Sequence, residues 1–296
     1  LSKEHNALEE AFRHIEEANE EIKRKSGRDL IPAILIGLAI GLSIVFAITY
    51  ADWTMVIIAG IGGAFAFIEY SRALTQVGIR VPMIAGSLLS TALTVAGYFL
   101  EIKWLVLAWL AAVVLVALLT VIQHRIIERN QQWELWKGVI AGVFLVSYIG
   151  FCLALAMNLT SQDSGGWWLL ACIIVVVSVD TGAYAFGITR GKTPFAPKIS
   201  PKKTWEGFLG GAVLAIVAGI LLSIFMLGMP WWFGIIFATV MIVVATVGDL
   251  SESLFKRQIG VKDMSSWLPG HGGFADRLDS ILPSTASAWV IFQLVF

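Results

Sequence analysis

The sequence predicts an all-α polytopic membrane protein of about nine transmembrane helices, led by a polar segment that forms a cytoplasmic helix. Three observations carry this. Of 296 residues, 57% are hydrophobic and only 14% charged, against about 45–50% and about 25% in soluble domains. Mean hydropathy is +0.80, and apolar runs recur that match the roughly 20 helical residues needed to cross a hydrocarbon core about 30 Å thick. Finally, almost all of the 21 basic residues fall in alternate loops between those runs.

The runs, in order, are 30–50, 53–70, 82–100, 104–122, 139–157, 167–186, 208–227, 231–247 and 281–296. An odd count sets the two ends of the chain on opposite sides of the membrane. Under that alternation one face collects the basic residues of segment 1–29, Arg72 and Arg80, Arg125 to Lys137, Arg190 to Lys203, and Lys256 to Arg277. The other face has Lys103 alone. The positive-inside rule then puts the N-terminus and the charged loops in the cytoplasm and the C-terminus across the cell membrane.

Residues 1–29 read as a leader helix, with Leu8, Phe12, Ile15 and Ile22 at roughly helical spacing among Glu, Lys and Arg. It would lie solvated, on headgroups or on another subunit, and nothing in it points to chemistry. The polar start offers no cleavable signal peptide. Residues 30–296 read as one transmembrane catalytic domain, its chemistry gathered between 180 and 280. Cys152 and Cys172 sit in apolar runs without metal-type spacing and read as packing residues. Lys+Arg and Asp+Glu balance at 21 each, so net charge points to no partner, and no nucleic acid is expected.

Charge concentrates in three places. In VVVSVDTGAYAFG, Asp180 lies inside an apolar run, where a carboxylate is costly unless it faces a polar cavity or a partner. Tyr184 shares its helical face, one turn on. The readings are a substrate cavity or a structural ion pair. The second place is TRGKTPFAPKISPKKTWEG, residues 189–207. Its prolines prevent a regular helix. Lys198, Ser200, Lys202, Lys203, Thr204 and Glu206 form a basic, hydroxyl-bearing loop beside a helix start, a setting that suits phosphate oxygens. The alternative is a plain anchoring loop. GITRGKT is not a P-loop, because three residues rather than four separate Gly187 from Gly191.

The third place, KRQIGVKDMSSWLPGHGGFADRLDS (256–280), holds three Asp, four Lys or Arg and one His. Asp276 and Asp279 are three apart and share a helix face, with Asp249 upstream at the end of the eighth run. Such hard oxygen ligands suit Mg²⁺, which takes one or two carboxylates plus substrate phosphates. Two such ions could clamp an in-line displacement at phosphorus. Lys256, Arg257, Lys262 and Arg277 would neutralise phosphate charge, and the PGHGG turn would let backbone and His271 approach a ligand. A structural cluster of salt bridges is the competing reading.

Ser253 to Asp279 closely resembles the signature of the phosphatidate cytidylyltransferases, or CDP-diacylglycerol synthases. Its fixed positions are filled by Ser253, Lys256, Arg257, Lys262, Asp263, His271, Gly272, Gly273, Asp276, Arg277 and Asp279. DTGAYAFG and PKISPKKTWEG also look like elements of that family, so the resemblance runs from about Asp180 to the C-terminus. The first four runs match only in being helices. The resemblance implies that CTP and phosphatidic acid react, with Mg²⁺, to give CDP-diacylglycerol and pyrophosphate. It further implies metal-binding roles for Asp249, Asp276 and Asp279, an all-helical multi-span fold, and a homodimer. A phosphate is already nucleophilic, so no general base is assigned, although Asp263 is the best candidate. The alternatives are another membrane lipid phosphotransferase or a transporter. The charge lies on one face of the second half without detectable repeats, which disfavours transport.

Overall fold

A computed structural model describes residues 30–127, 134–261, 264, 265, 267 and 272–296. The expected leader helix, and Lys262, Asp263 and His271, lie outside the described residues. The elements are α1 (Leu30–Tyr50), α2 (Trp53–Gln76), α3 (Met83–Phe99), α4 (Ile102–Ile122) and α5 (Leu135–Leu145). A π-helical turn (Val146–Phe151) joins α5 to α6 (Cys152–Thr160). Then come α7 (Gly165–Arg190), β1 (Pro194–Ala196), β2 (Ser200–Thr204), α8 (Trp205–Phe225), α9 (Trp231–Ile259), α10 (Ala275–Leu278) and α11 (Ile281–Val295).

Each apolar run is helical, and the chain is a multi-pass membrane protein. Among the described residues seven helical stretches are long and apolar enough to cross a membrane, while Gly37–Tyr50 and Met83–Phe99 are apolar but shorter. Length and composition therefore support at least seven crossings among the described residues. The all-α expectation changes at one point. Pro194, Pro197 and Pro201 exclude a helix, and the loop folds instead into an antiparallel ribbon with Pro194 opposite Thr204 and Ala196 opposite Ser200. Phe195 stacks on Phe208 (5.2 Å) and meets Trp205 edge-on (4.6 Å), which roots the ribbon on α8.

Two cores organise the bundle. Trp168 of α7 is the hub of one, with Phe233 and Phe237 of α9 and Phe292 of α11 all meeting its ring edge-on. The other gathers Phe67 and Tyr70 of α2, Leu93 of α3, Leu105 and Val116 of α4, and Ile149 of the π turn. Helix α11 wedges between them, since Phe292 joins the first core, Leu282 the second, and Trp289 touches both. This wedge brings the segment just ahead of α11, with Asp276 and Asp279, to the seam between the cores.

Candidate active site

Helix length builds the site. The eighth apolar run ends near Val247, yet nothing in GDLSESLFKRQI breaks a helix. Helix α9 continues to Ile259 and stops where Gly260 turns left-handed at φ 81°. At 1.5 Å per residue its 29 residues span about 43 Å, well beyond about 30 Å of hydrocarbon. The overhang places Asp249, Glu252 or Ser253, and Lys256 on one face by their spacing. Asp180, Tyr184 and Gly187 form the same kind of stripe on α7.

The C-terminal halves of α7 and α9 meet the N-terminal ends of α8 and α11, and the ribbon folds over them. Close backbone contact makes this possible: a Cβ on Gly182 of α7 would lie 2.8 Å from the Cα of Gly211 in α8. Small residues of this kind let membrane helices approach. Between these elements opens a cavity of about 660 Å³. Asp180 and Tyr184 line it from α7, Lys202, Lys203 and Thr204 from the ribbon, and Asp249 and Lys256 from α9. Asp276, Arg277 and Asp279 close it from the segment that leads into α11. Ten residues proposed from sequence as far as a hundred positions apart thus share one space.

The charges are already engaged with one another. Lys203 is ion-paired with Asp249. Lys256 Nζ bonds both Asp276 Oδ1 (2.8 Å) and Glu252 Oε2 (2.9 Å). Asp276 Oδ2 also accepts the amides of Gly273 (2.7 Å) and Met264 (3.1 Å). Asp279 Oδ1 accepts the Ser280 amide (2.6 Å), while its backbone carbonyl accepts the Tyr148 hydroxyl from the π turn (3.1 Å). Among the described residues no three acidic, His or Cys side chains form a ready metal cluster. A Mg²⁺ site still fits the donor set, because that ion asks for only one or two carboxylates beside waters and phosphates.

Other residues put forward from sequence lie elsewhere. Glu206 holds the ribbon's approach, accepting the amides of Lys192 and Thr193 (both 3.1 Å) and the Thr193 hydroxyl (2.8 Å). Thr204 caps α8 by accepting the Gly207 amide (3.1 Å) while also facing the cavity. Arg257 points to the ribbon, its Nε donating to Ile199 carbonyl (3.2 Å), so it braces the loop. Lys198 is exposed in the turn and Ser200 is half-buried in β2. Gly272 adopts φ 82° and Gly273 packs against Glu69, so these glycines shape the loop while lying outside the cavity wall.

Two acidic residues escaped the sequence reading. Glu252 is 3% exposed and anchors Lys256; Glu69 on α2 is 1% exposed and holds the loop before α10. Glu69 could have been found by the reasoning applied to Asp180, since it is a carboxylate inside an apolar run, whereas Glu252 sits in the polar overhang of α9 where a carboxylate draws no notice.

Fold and cavity together define a multi-pass membrane protein that carries a mixed cationic and acidic chamber at its helix ends. The profile of the cytidylyltransferase family matches residues 32–295, and the chain belongs to that family. The chain is similar to the phosphatidate cytidylyltransferase of Mycobacterium bovis, 33% identical over 286 residues that cover 92% of this chain and 90% of the relative. The enzyme of that name from Mycobacterium leprae is 33% identical over 289 residues with the same coverage of each chain. That of Brucella suis is 37% identical over 168 residues, covering 56% of this chain and 60% of the relative.

Proposed function

We propose that the chain transfers a cytidylyl group from CTP to phosphatidic acid, giving CDP-diacylglycerol and pyrophosphate. The observation that carries this reading is the meeting of Lys202, Lys203, Lys256 and Arg277 with Asp249, Asp276 and Asp279 in one cavity at the ends of membrane helices. The relatives' shared name supports the substrates. A lipid phosphate stays at the interface while a nucleotide arrives from water, and a cavity placed there reaches both.

In the reaction an oxygen of the lipid phosphate attacks the α-phosphorus of CTP as the bond to the β-phosphate oxygen breaks. The phosphate is its own nucleophile, so positioning and charge neutralisation do most of the work. The ribbon lysines and Arg277 bind phosphate oxygens, and the positive end of the α8 dipole, where Gly207 and Phe208 line the cavity, favours an anion. Asp180 and Tyr184 orient substrate from the opposite wall. The four acids and four bases on the wall nearly cancel, so a triphosphate needs additional positive charge. One or two of Asp249, Asp276 and Asp279 would hold Mg²⁺, which supplies that charge at the reacting phosphates.

We place α1 and α3 in the bilayer as well, making nine crossings, with the N-terminus and the cavity cytoplasmic and the C-terminus opposite, in the cell membrane. The charge asymmetry of the loops supports that orientation. Residues 1–29 would be a cytoplasmic helix, 30–296 the catalytic domain, and the assembly a homodimer. Purified protein with phosphatidic acid and labelled CTP should yield a labelled lipid with Mg²⁺ and none after chelation. No labelled lipid under either condition would refute the assignment.

A further inference from the structure

We propose that Glu69, in the half of the chain that carries none of the signature, is a positioning residue for Asp276 and Arg277. The proposal rests on the reaction assigned above, and it concerns how the acidic loop is held.

Glu69 lies in α2, a stretch long and apolar enough to cross the membrane, and is 1% exposed. A carboxylate so placed is expensive unless its oxygens are fully hydrogen-bonded. Its partners come from the loop: Oε1 accepts the Ser265 hydroxyl and the Phe274 amide (3.1 Å), and Oε2 accepts the Ala275 amide (2.7 Å). The next residue, Asp276, is the one bonded to Lys256 in the cavity. Glu69 therefore grips the chain immediately ahead of the acid that faces the substrate space.

The same stripe of α2 continues the grip. Phe65, one turn earlier, stacks on Phe274 at 5.1 Å and 18° and meets Trp267 edge-on at 5.2 Å. Arg72, nearly one turn later, places its guanidinium 5.0 Å from the Trp267 ring centre. From the loop side, a Cβ on Gly273 would come within 2.6 Å of the Glu69 carboxylate, so a side chain there would push the carboxylate from its present place. Ring contacts and hydrogen bonds thus converge on the few residues preceding α10. Partners of this outer kind change affinity or activity about 10- to 100-fold when lost.

Glu69→Gln tests this, because the amide keeps the volume but turns an NH₂ toward a loop donor. Hydrogen exchange on the full-length protein, without nucleotide or metal, should rise in 272–280 and stay unchanged in α7 and α8. In the assay, turnover should fall about 10- to 100-fold, with more Mg²⁺ required for half-maximal activity. Ser265→Ala and Gly273→Ala strike the same contact from the loop and should move exchange and Mg²⁺ requirement in the same direction. They decide the matter if Glu69→Gln does not fold. Unchanged exchange in 272–280, or a loss that only follows the folded fraction at unaltered Mg²⁺ requirement, overturns the role. An inactive wild type would instead refute the assigned reaction, while the exchange result still decides the contact.

Discussion

Lys203 of the ribbon and Asp249 of α9 form an ion pair across the cavity. Lys256 makes the same kind of bond to Asp276. Two of the three aspartates put forward as Mg²⁺ ligands are thus partnered by lysines, and those same lysines are the groups put forward for phosphate. On the function proposed above, an incoming triphosphate would offer the lysines other anions and free the carboxylates to hold a cation, so that one exchange of partners would ready both halves of the site.

Lys203 is the more accessible partner, its side chain 29% exposed. A charge-assisted bond contributes about 1.5–3 kcal/mol when shielded, and partial exposure trims that to about the tenfold scale. Lys203→Ala should therefore raise the Michaelis constant for CTP or for the lipid about tenfold with a smaller change in turnover. Steady-state kinetics with each substrate varied in turn would show it. Unaltered constants for both would reduce the ribbon to an anchor.

Asp279 is held from three sides, by the Ser280 amide and hydroxyl on Oδ1 and by the Tyr148 hydroxyl on its carbonyl. Asparagine keeps the volume and one acceptor oxygen, so the fold should survive. The charge at the reacting centre is lost, and removal of one electrostatic group of this kind costs about 10²–10³ in turnover. Asp279→Asn should show that loss with a melting temperature near wild type. Near-normal turnover would remove Asp279 from the site.

Lys256 separates stability from chemistry. Its ammonium lies between Glu252 and Asp276, whose side chains are 1% and 6% exposed. Lys256→Met leaves both carboxylates buried without their cation, a defect worth about 3–5 kcal/mol. Adding Glu252→Gln removes one of those charges and should recover part of the melting temperature. It should recover no activity, because the cation beside Asp276 stays absent. Recovery of turnover along with stability would make Lys256 a purely structural residue.

These residues also mark what the sequence made legible. Asp180 and Tyr184, or Asp276 and Asp279, could be read because helical spacing alone puts each pair on one face. Their meeting was expected from charge density, since so many costly groups in an apolar chain need one another. Glu69 could be noticed as a carboxylate in an apolar run, but what it holds stayed hidden because its partners stand 196 to 206 positions away, beyond any periodicity. Glu206 was read as a substrate ligand and is found holding the backbone of Lys192 and Thr193, because a carboxylate at a helix start fits a phosphate-site loop and a backbone brace equally well. The extent of α9 was underestimated because hydropathy marks where lipid ends, whereas the helix ends at Gly260. The ribbon was missed because proline excludes a helix without naming what replaces it.

The contact of α7 with α8 can be tested by placing one substitution in two settings. At Gly182 a Cβ would stand 2.8 Å from Gly211 Cα and 3.1 Å from Gly210 carbonyl, both backbone atoms that cannot swing aside. At Gly41 of α1 a Cβ meets nothing within 4 Å. Leucine at Gly41 should be neutral or slightly stabilising, because it removes a glycine from a helix interior at no steric cost. Leucine at Gly182 forces the two helices apart, and overpacking of this kind costs about 1–3 kcal/mol even where side chains can adjust. It also shifts Asp180 relative to Lys203, because each stands on one side of that seam. Gly182→Leu should therefore lower the melting temperature and raise the Michaelis constants of the protein that remains folded, while Gly41→Leu changes neither. Equal behaviour of the two variants would mean that the backbones of α7 and α8 do not touch, and that the cavity wall they form is not held by this contact.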